Sequence, residues 1–226
     1  MLVVGFPAGT FRTNCYVLAP RPGAGCVIVD PGQDVAEPLE RALTDHALTP
    51  AAVLATHGHP DHVAGIADLA RAHDVPVRIR PEDRPMLDSV PESVVELGDE
   101  PVEAAGLTID VLHTPGHTPG SAVFRLETEE GGRIALTGDT LFAGSAGRTD
   151  GPTGDADALR SSLALLARVL DDDTVLLPGH GPSTTMERER TANPFLAAAE
   201  HDTLGTATAT AEMGTTDVET RERDMR

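Results

Sequence analysis

The stretch that most constrains this chain is ATHGHPDHVAG, residues 55 to 65. It gathers His57, His59, Asp61 and His62 within six positions, in a chain of 226 residues with 9 histidines. Crowded imidazoles resist being protonated together, because each cation disfavours the next. The run Ala52 to Ala55 reads as a buried strand, and Pro60 suits the first position of a helix. His57 and His59 then lie on the strand-to-helix turn and point to the same side, since side chains alternate along extended backbone. The helix start returns Asp61 and His62 to the same spot, and Gly58 lets the turn tighten. Neutral imidazoles and carboxylates are ligands that zinc and iron accept, so a metal accounts for the crowding.

One such cluster does not complete a site, and three other segments offer partners. HTPGHTPGS (113 to 121) follows a strand and presents His117 between turns. ALTGDTLF (135 to 142) ends a strand with Asp139, and VLLPGHGPS (175 to 183) ends another with His180. A Gly-Asp or Gly-His turn alone is usually only a turn. Four ligand-bearing strand ends in one chain make a constellation.

The rest of the chain reads as sheets covered by helices, an α+β arrangement. Short apolar, β-branched runs occur at 2–4, 15–18, 26–29, 52–55, 75–79, 107–112, 122–126, 134–136 and 175–177. Helical patterns lie between them at 34–46, 61–73 and 155–170. In the last, Leu159, Leu163, Leu166 and Leu170 fall on one face of an amphipathic helix. EEGGR at 129 to 133 reads as a tight hairpin turn. Residues 81–101, rich in proline and acid, read as an irregular connection. Beyond about residue 200, few large apolar residues remain to offset ordering entropy, so a mobile tail is expected at 200–226 after a domain at 1–199.

Composition removes several function classes. All 17 cations are arginine against 36 acids, a formal charge of -19. An acidic surface argues against nucleic acid as partner. The acids either simply solvate the surface or reflect a salty cytoplasm. Cys15 and Cys26 are too few for a disulfide framework, so a reducing cytoplasm is expected. The start, MLVVGFPAGTF, lacks a basic n-region and reads as no signal peptide. No stretch has the apolar length that spans a bilayer, so no membrane partner is expected. Oligomeric state stays open.

The ordered set His57, His59, Asp61, His62, His117, Asp139 and His180 resembles the metallo-β-lactamase superfamily. The surrounding words TNCYVL, VIVDPG, HTPGHTPGS, GDTLFAGSAGRTD and LLPGHGPSTTMERERTANPFL are similar to those of the short, single-domain glyoxalase II-like hydrolases, over about residues 2 to 199. The resemblance implies an αββα sandwich of two mixed sheets flanked by helices, with the site at the sheet edges. It implies two divalent metal ions, zinc first and iron or manganese as alternatives. His57, His59 and His117 would hold one; Asp61, His62 and His180 would hold the other, with Asp139 bridging. Asp61 and Asp139 are thereby the carboxylates assigned to catalysis.

Asp30, in VIVDPG, would orient a ligand from behind, although Asp-Pro-Gly is also good turn chemistry. Arg148 would meet a substrate carboxylate or pair with Asp150. His113 matches a position that is not a ligand, and His46, His73 and His201 are assigned to the surface. The implied reaction is cleavage of a small-molecule thioester, of hydroxyacyl-thiol type, by a metal-bridging hydroxide. The expected chain lacks the C-terminal helical domain that two-domain glyoxalase II enzymes use for glutathione. A persulfide dioxygenase, with one iron on His57, His117 and Asp139, is the alternative, and a non-enzymatic metal-binding module is a third reading.

Overall fold

Alternate residues along the strands pack into two different cores, and that fixes the layers. In the computed structural model, which describes residues 1–90 and 92–199, the first sheet carries β1 (Leu2–Ala8), β2 (Thr13–Ala19), β3 (Gly25–Val29), β4 (Thr49–Leu54), β5 (Val77–Ile79) and β6 (Val94–Glu96), side by side in chain order. Cys15, Val17, Cys26, Ile28 and Val53 face one way, and Tyr16, Leu18, Val27, Val29 and Leu54 the other. Both sets are buried, so this sheet is covered on both faces. Such strands read as continuous apolar runs rather than alternating ones.

The outer cover is α1 (Ala36–Asp45), with α2 (Pro60–Val63) and α3 (Ile66–His73). The inner face packs on a second sheet. Its strands are β7 (Val102–Ala104), β8 (Leu107–His113), β9 (Ala122–Glu127), β10 (Arg133–Gly138), β13 (Val175–Pro178) and β14 (Thr184–Thr185), with a small hairpin of β11 (Leu141–Phe142) and β12 (Ser145–Ala146) set apart. The spatial order is β14-β13-β10-β9-β8-β7. Behind it lie α4 (Ala156–Val169) and α5 (Met186–Ala192), and Leu159, Leu163, Leu166 and Leu170 are all buried there. The result is the helix-sheet-sheet-helix sandwich that the sequence implied.

Both sheets are mixed, and that positions the site. β3 and β4 run parallel, as do β10 and β13, so each pair delivers its C-terminal ends to one edge. Asp30 and His57 follow the first pair, Asp139 and His180 the second.

Three local expectations change. The pattern at 61–73 is not one helix. It breaks into α2 and α3 at Gly65, whose N–H donates to Pro31 O (2.9 Å) and where a Cβ would meet Val35 Cγ1 at 2.7 Å and Pro31 O at 2.8 Å. The connection at 81–101 contains a 3-10 turn at Arg84–Met86 and the edge strand β6. The run at 75–79 is a strand only over Val77–Ile79. The expected tail lies outside the described residues. No helix among the described residues is long and apolar enough to cross a membrane.

Candidate metal centre

The seven residues picked out in the sequence meet in one place. Donor atoms of His57, His59 and His117 lie within 4.8 Å of one another, and so do those of Asp61, His62 and His180. A third such group, His57, His62 and Asp139, takes one residue from each triple and adds Asp139. Asp139 therefore stands between them. Its Oδ1 is 3.3 Å from His62 Nε2, while its Oδ2 is 3.4 Å from His117 Nε2 and 3.5 Å from His180 Nε2. Asp61 Oδ2 is 3.2 Å from His180 Nε2 and 3.6 Å from His62 Nε2.

Each buried ring is held from behind through the nitrogen that faces away from the cluster. His62 Nδ1 donates to Asp30 Oδ2 (2.9 Å), and His117 Nδ1 donates to the carbonyl of Arg148 (2.9 Å). Thr56 Oγ1 gives its own proton to Asp30 Oδ2, so at 3.1 Å it accepts from His57 Nδ1. Every one of these contacts fixes the tautomer that leaves Nε2 bare toward the centre.

Of those inward atoms, His57 Nε2 meets only another cluster nitrogen, His59 Nδ1 at 3.1 Å. His62 Nε2, His117 Nε2 and Asp139 Oδ1 are buried polar atoms without a hydrogen-bond partner. Such orphans are rare because each costs the fold a desolvation penalty. Electrostatics point the same way. Burial pushes the His62 imidazole down, yet Asp30, Asp139 and their hydrogen bonds raise it to about 10, so the pocket calls for positive charge. Burial, and then the neighbouring His62, His117, His59 and His180, push His57 well below its ordinary value. Burial also acts against ionisation of Asp139, but His62, His180 and His117 hold its carboxyl below the usual range. Imidazole nitrogens around anionic carboxylates, with orphaned polar atoms facing inward where the field draws positive charge, fit divalent metal ions.

The sequence profile of the metallo-beta-lactamase superfamily matches residues 8–180. The chain belongs to that superfamily. A superfamily relative in Mycobacterium tuberculosis, an uncharacterised protein, is 46% identical over 220 residues, covering 87% of this chain and 98% of its own. The hydroxyacylglutathione hydrolase GloC of Haemophilus influenzae is 34% identical over 207 residues, covering 84% and 95%. Among solved superfamily structures, the BLEG-1 B3 metallo-beta-lactamase has a TM-score of 0.77 at 30% identity, with 86% of this chain and 99% of that one covered. The di-iron-bound form of TTHA1623 has a TM-score of 0.74 at 35% identity (85% and 99% covered). ETHE1 from Myxococcus xanthus has 0.73 at 28% (88% and 85% covered). The His/Asp cluster and the superfamily together indicate divalent metals.

The other sequence-predicted residues fall as follows. Asp30 is 2% exposed, sits at φ 53°, and accepts from Thr56 N and Thr56 Oγ1 (2.7 Å each) as well as from His62. Arg148 is largely exposed, and its Nε donates to Asp150 Oδ1 at 2.8 Å; its backbone carbonyl, not its guanidinium, touches a cluster residue. His113 Nε2 donates to Pro119 O (2.8 Å) and belongs to no donor group among the described residues. His46 and His73 are half-buried outside the cluster, His73 lying 3.5 Å from Glu40; His201 lies outside the described residues.

Several supports carried no signal of their own. Thr13 Oγ1 donates to Asp61 Oδ2 (2.8 Å). Asn14 Nδ2 donates to Pro178 O and Gly181 O, and the Tyr16 hydroxyl to Pro178 O, which ties β2 to the loop that carries His180. TNCYVL is thus a set of struts for the site. Asp83, in the stretch read as irregular, is wholly buried and joins two ligand loops. Only the local Pro and acid content was visible there, and that reads as loop.

Proposed function

We propose that this superfamily member is a hydrolase that holds two divalent metal ions and cleaves small-molecule thioesters, hydroxyacyl-thiols first. In this reading His57, His59 and His117 hold one ion, and Asp61, His62 and His180 the other. Asp139, with one oxygen toward His62 and the other toward His117 and His180, serves both. That Asp139 lies within 3.5 Å of members of both triples, His117 of one and His62 and His180 of the other, is the observation that carries the reading. When bound, such ions acidify water towards neutrality and stabilise the oxyanion that develops on an attacked carbonyl.

The chain's own residues supply the rest. Asp30, Thr56 and the Arg148 carbonyl hold three imidazoles by their outward nitrogens, so each ring already points its other nitrogen at the centre. Burial acts to raise the Asp61 carboxyl, but hydrogen bonds from His180 and Thr13 and the charge of His62 keep it well below the usual range. It is therefore anionic at neutral pH. No side chain need protonate the leaving group, because a thiol of pKa about 8.5 departs as thiolate. Likeness to GloC supports the hydroxyacyl-thiol class, and two free, buried cysteines suit a reducing cytoplasm.

The likeness to ETHE1 favours one second reading, a persulfide dioxygenase with a single iron on His57, His117 and Asp139. Metal analysis of the purified protein, beside a panel of acyl-thiols, glutathione persulfide and a β-lactam, separates the readings. Two ions per chain with thioester cleavage is the expected result. Sulfite formation with oxygen uptake and no thioester cleavage would overturn it, as would turnover of the β-lactam alone.

A further inference from the structure

Asp83 is 0% exposed, and among the described residues the hydrogen bonds to its carboxylate come from neutral donors. Oδ2 accepts from Gly58 N (2.9 Å) and Thr118 Oγ1 (2.6 Å), and Oδ1 accepts from Gly120 N (2.7 Å). Gly58 lies between His57 and His59, and Thr118 follows His117. The glycines themselves are moulded to this acid. A Cβ on Gly120 would stand 2.6 Å from Asp83 Cγ, and one on Gly58 2.8 Å from Asp83 O. A buried carboxylate without a cation is costly for a fold, so its retention calls for a geometric reason.

Asp83 stitches the 57–59 turn to the 117–120 turn, and those two turns carry His57, His59 and His117 and nothing else of the centre. None of its partners adjoins Asp61, His62, Asp139 or His180. Asp30 is different, because it holds His62 directly and His57 through Thr56. Thr13 touches only the opposite half, through Asp61.

We propose that Asp83 is a positioning residue for one half of the centre, setting the affinity of the His57–His59–His117 ion and leaving the Asp61–His62–His180 ion untouched. The inference rests on the two-ion reading. Its consequence is that the two ions are tuned by separate supports, Asp83 on one side and Thr13 on the other, so either can be weakened alone.

Zinc titration against a chromogenic chelator reads this directly, without any substrate. In a His180→Ala background the remaining ion belongs to the Asp83 half. There Asp83→Ala should loosen it about 10- to 100-fold, the usual cost of losing a ligand's supporting contact. In a His59→Ala background the same change should move the remaining ion by less than about threefold, as independent sites do. Thr13→Val should give the reverse pattern. Asp83→Asn keeps one acceptor oxygen and should fall between wild type and Asp83→Ala. Thr118→Val removes one donor and leaves the backbone donors alone, so it reads the same half should Asp83→Ala not fold. Equal loosening in both backgrounds, or in neither, overturns the inference alone. A wild-type chain that holds a single ion overturns the two-ion reading and this inference with it.

Discussion

Asp139 does at the scale of one side chain what the two sheets do for the molecule. Its oxygens diverge, one to His62 and one to His117 and His180, so its removal should cost both ions. Asp139→Ala should bring elemental analysis from two metals per chain to well below one, and lower turnover by at least about 100-fold. His59→Ala should retain one. A variant at 139 that keeps a tightly bound ion at full occupancy would show that the carboxylate does not bridge. The cysteines give a second residue-scale prediction. Burial, helped by the Asp30 charge, pushes the Cys15 thiol well up, and burial pushes Cys26 up to about 11. Only the thiolate reacts, so at about pH 8 both should resist a disulfide reagent until the protein unfolds. Rapid labelling of either thiol in the native protein would contradict its burial.

Elements show where sequence patterns speak and where they fall silent. The strand ends that carry His57, His117, Asp139 and His180 were legible because each follows an apolar run of strand length, and α4 because its leucines repeat at helical spacing. The break between α2 and α3 was not. The run 61–73 has helical periodicity throughout, and Gly65 alone reads as a tolerated weak point. Tertiary contact decides it: the chain after β3 passes so close that Pro31 O and Val35 leave no room for a side chain. α5 went unseen because Met186–Ala192 buries little beyond Met186 and Glu189, and Glu189 is buried to bond Gly144 N, Thr184 Oγ1 and Asn193 Nδ2. Propensity and packing can be set against each other at Gly65. Alanine is the better helix former by about 1 kcal/mol. We expect Gly65→Ala nonetheless to destabilise by about 1–3 kcal/mol in urea unfolding, because overpacking displaces the segment next to Asp30. Equal or greater stability would mean that the segment yields freely.

For the whole molecule, the two sheets bring cation-seeking groups to one edge of a chain whose formal charge is -19. Charge of one sign repels itself in the compact state, and folding must confine it. Attractive pairs do exist, such as Arg133 with Asp171 and Asp173, or Arg125 with Asp110. Exposed pairs of this kind contribute only about 0–1 kcal/mol each, and salt weakens them. The two effects of salt therefore oppose each other, and their sizes decide the sign. With 36 acids against 17 arginines, 19 acids have no cation to match, so relief of repulsion should win. Raising ionic strength from about 0.01 M to about 0.15 M shortens the Debye length from roughly 30 Å to roughly 8 Å, less than the width of the domain. The thermal midpoint of the metal-loaded protein should then rise by several degrees, with most of the gain complete by physiological salt. Sodium chloride and potassium chloride should act alike, since screening depends on ionic strength and not on the ion. A midpoint that falls with salt would show that the arginine pairs outweigh the net charge.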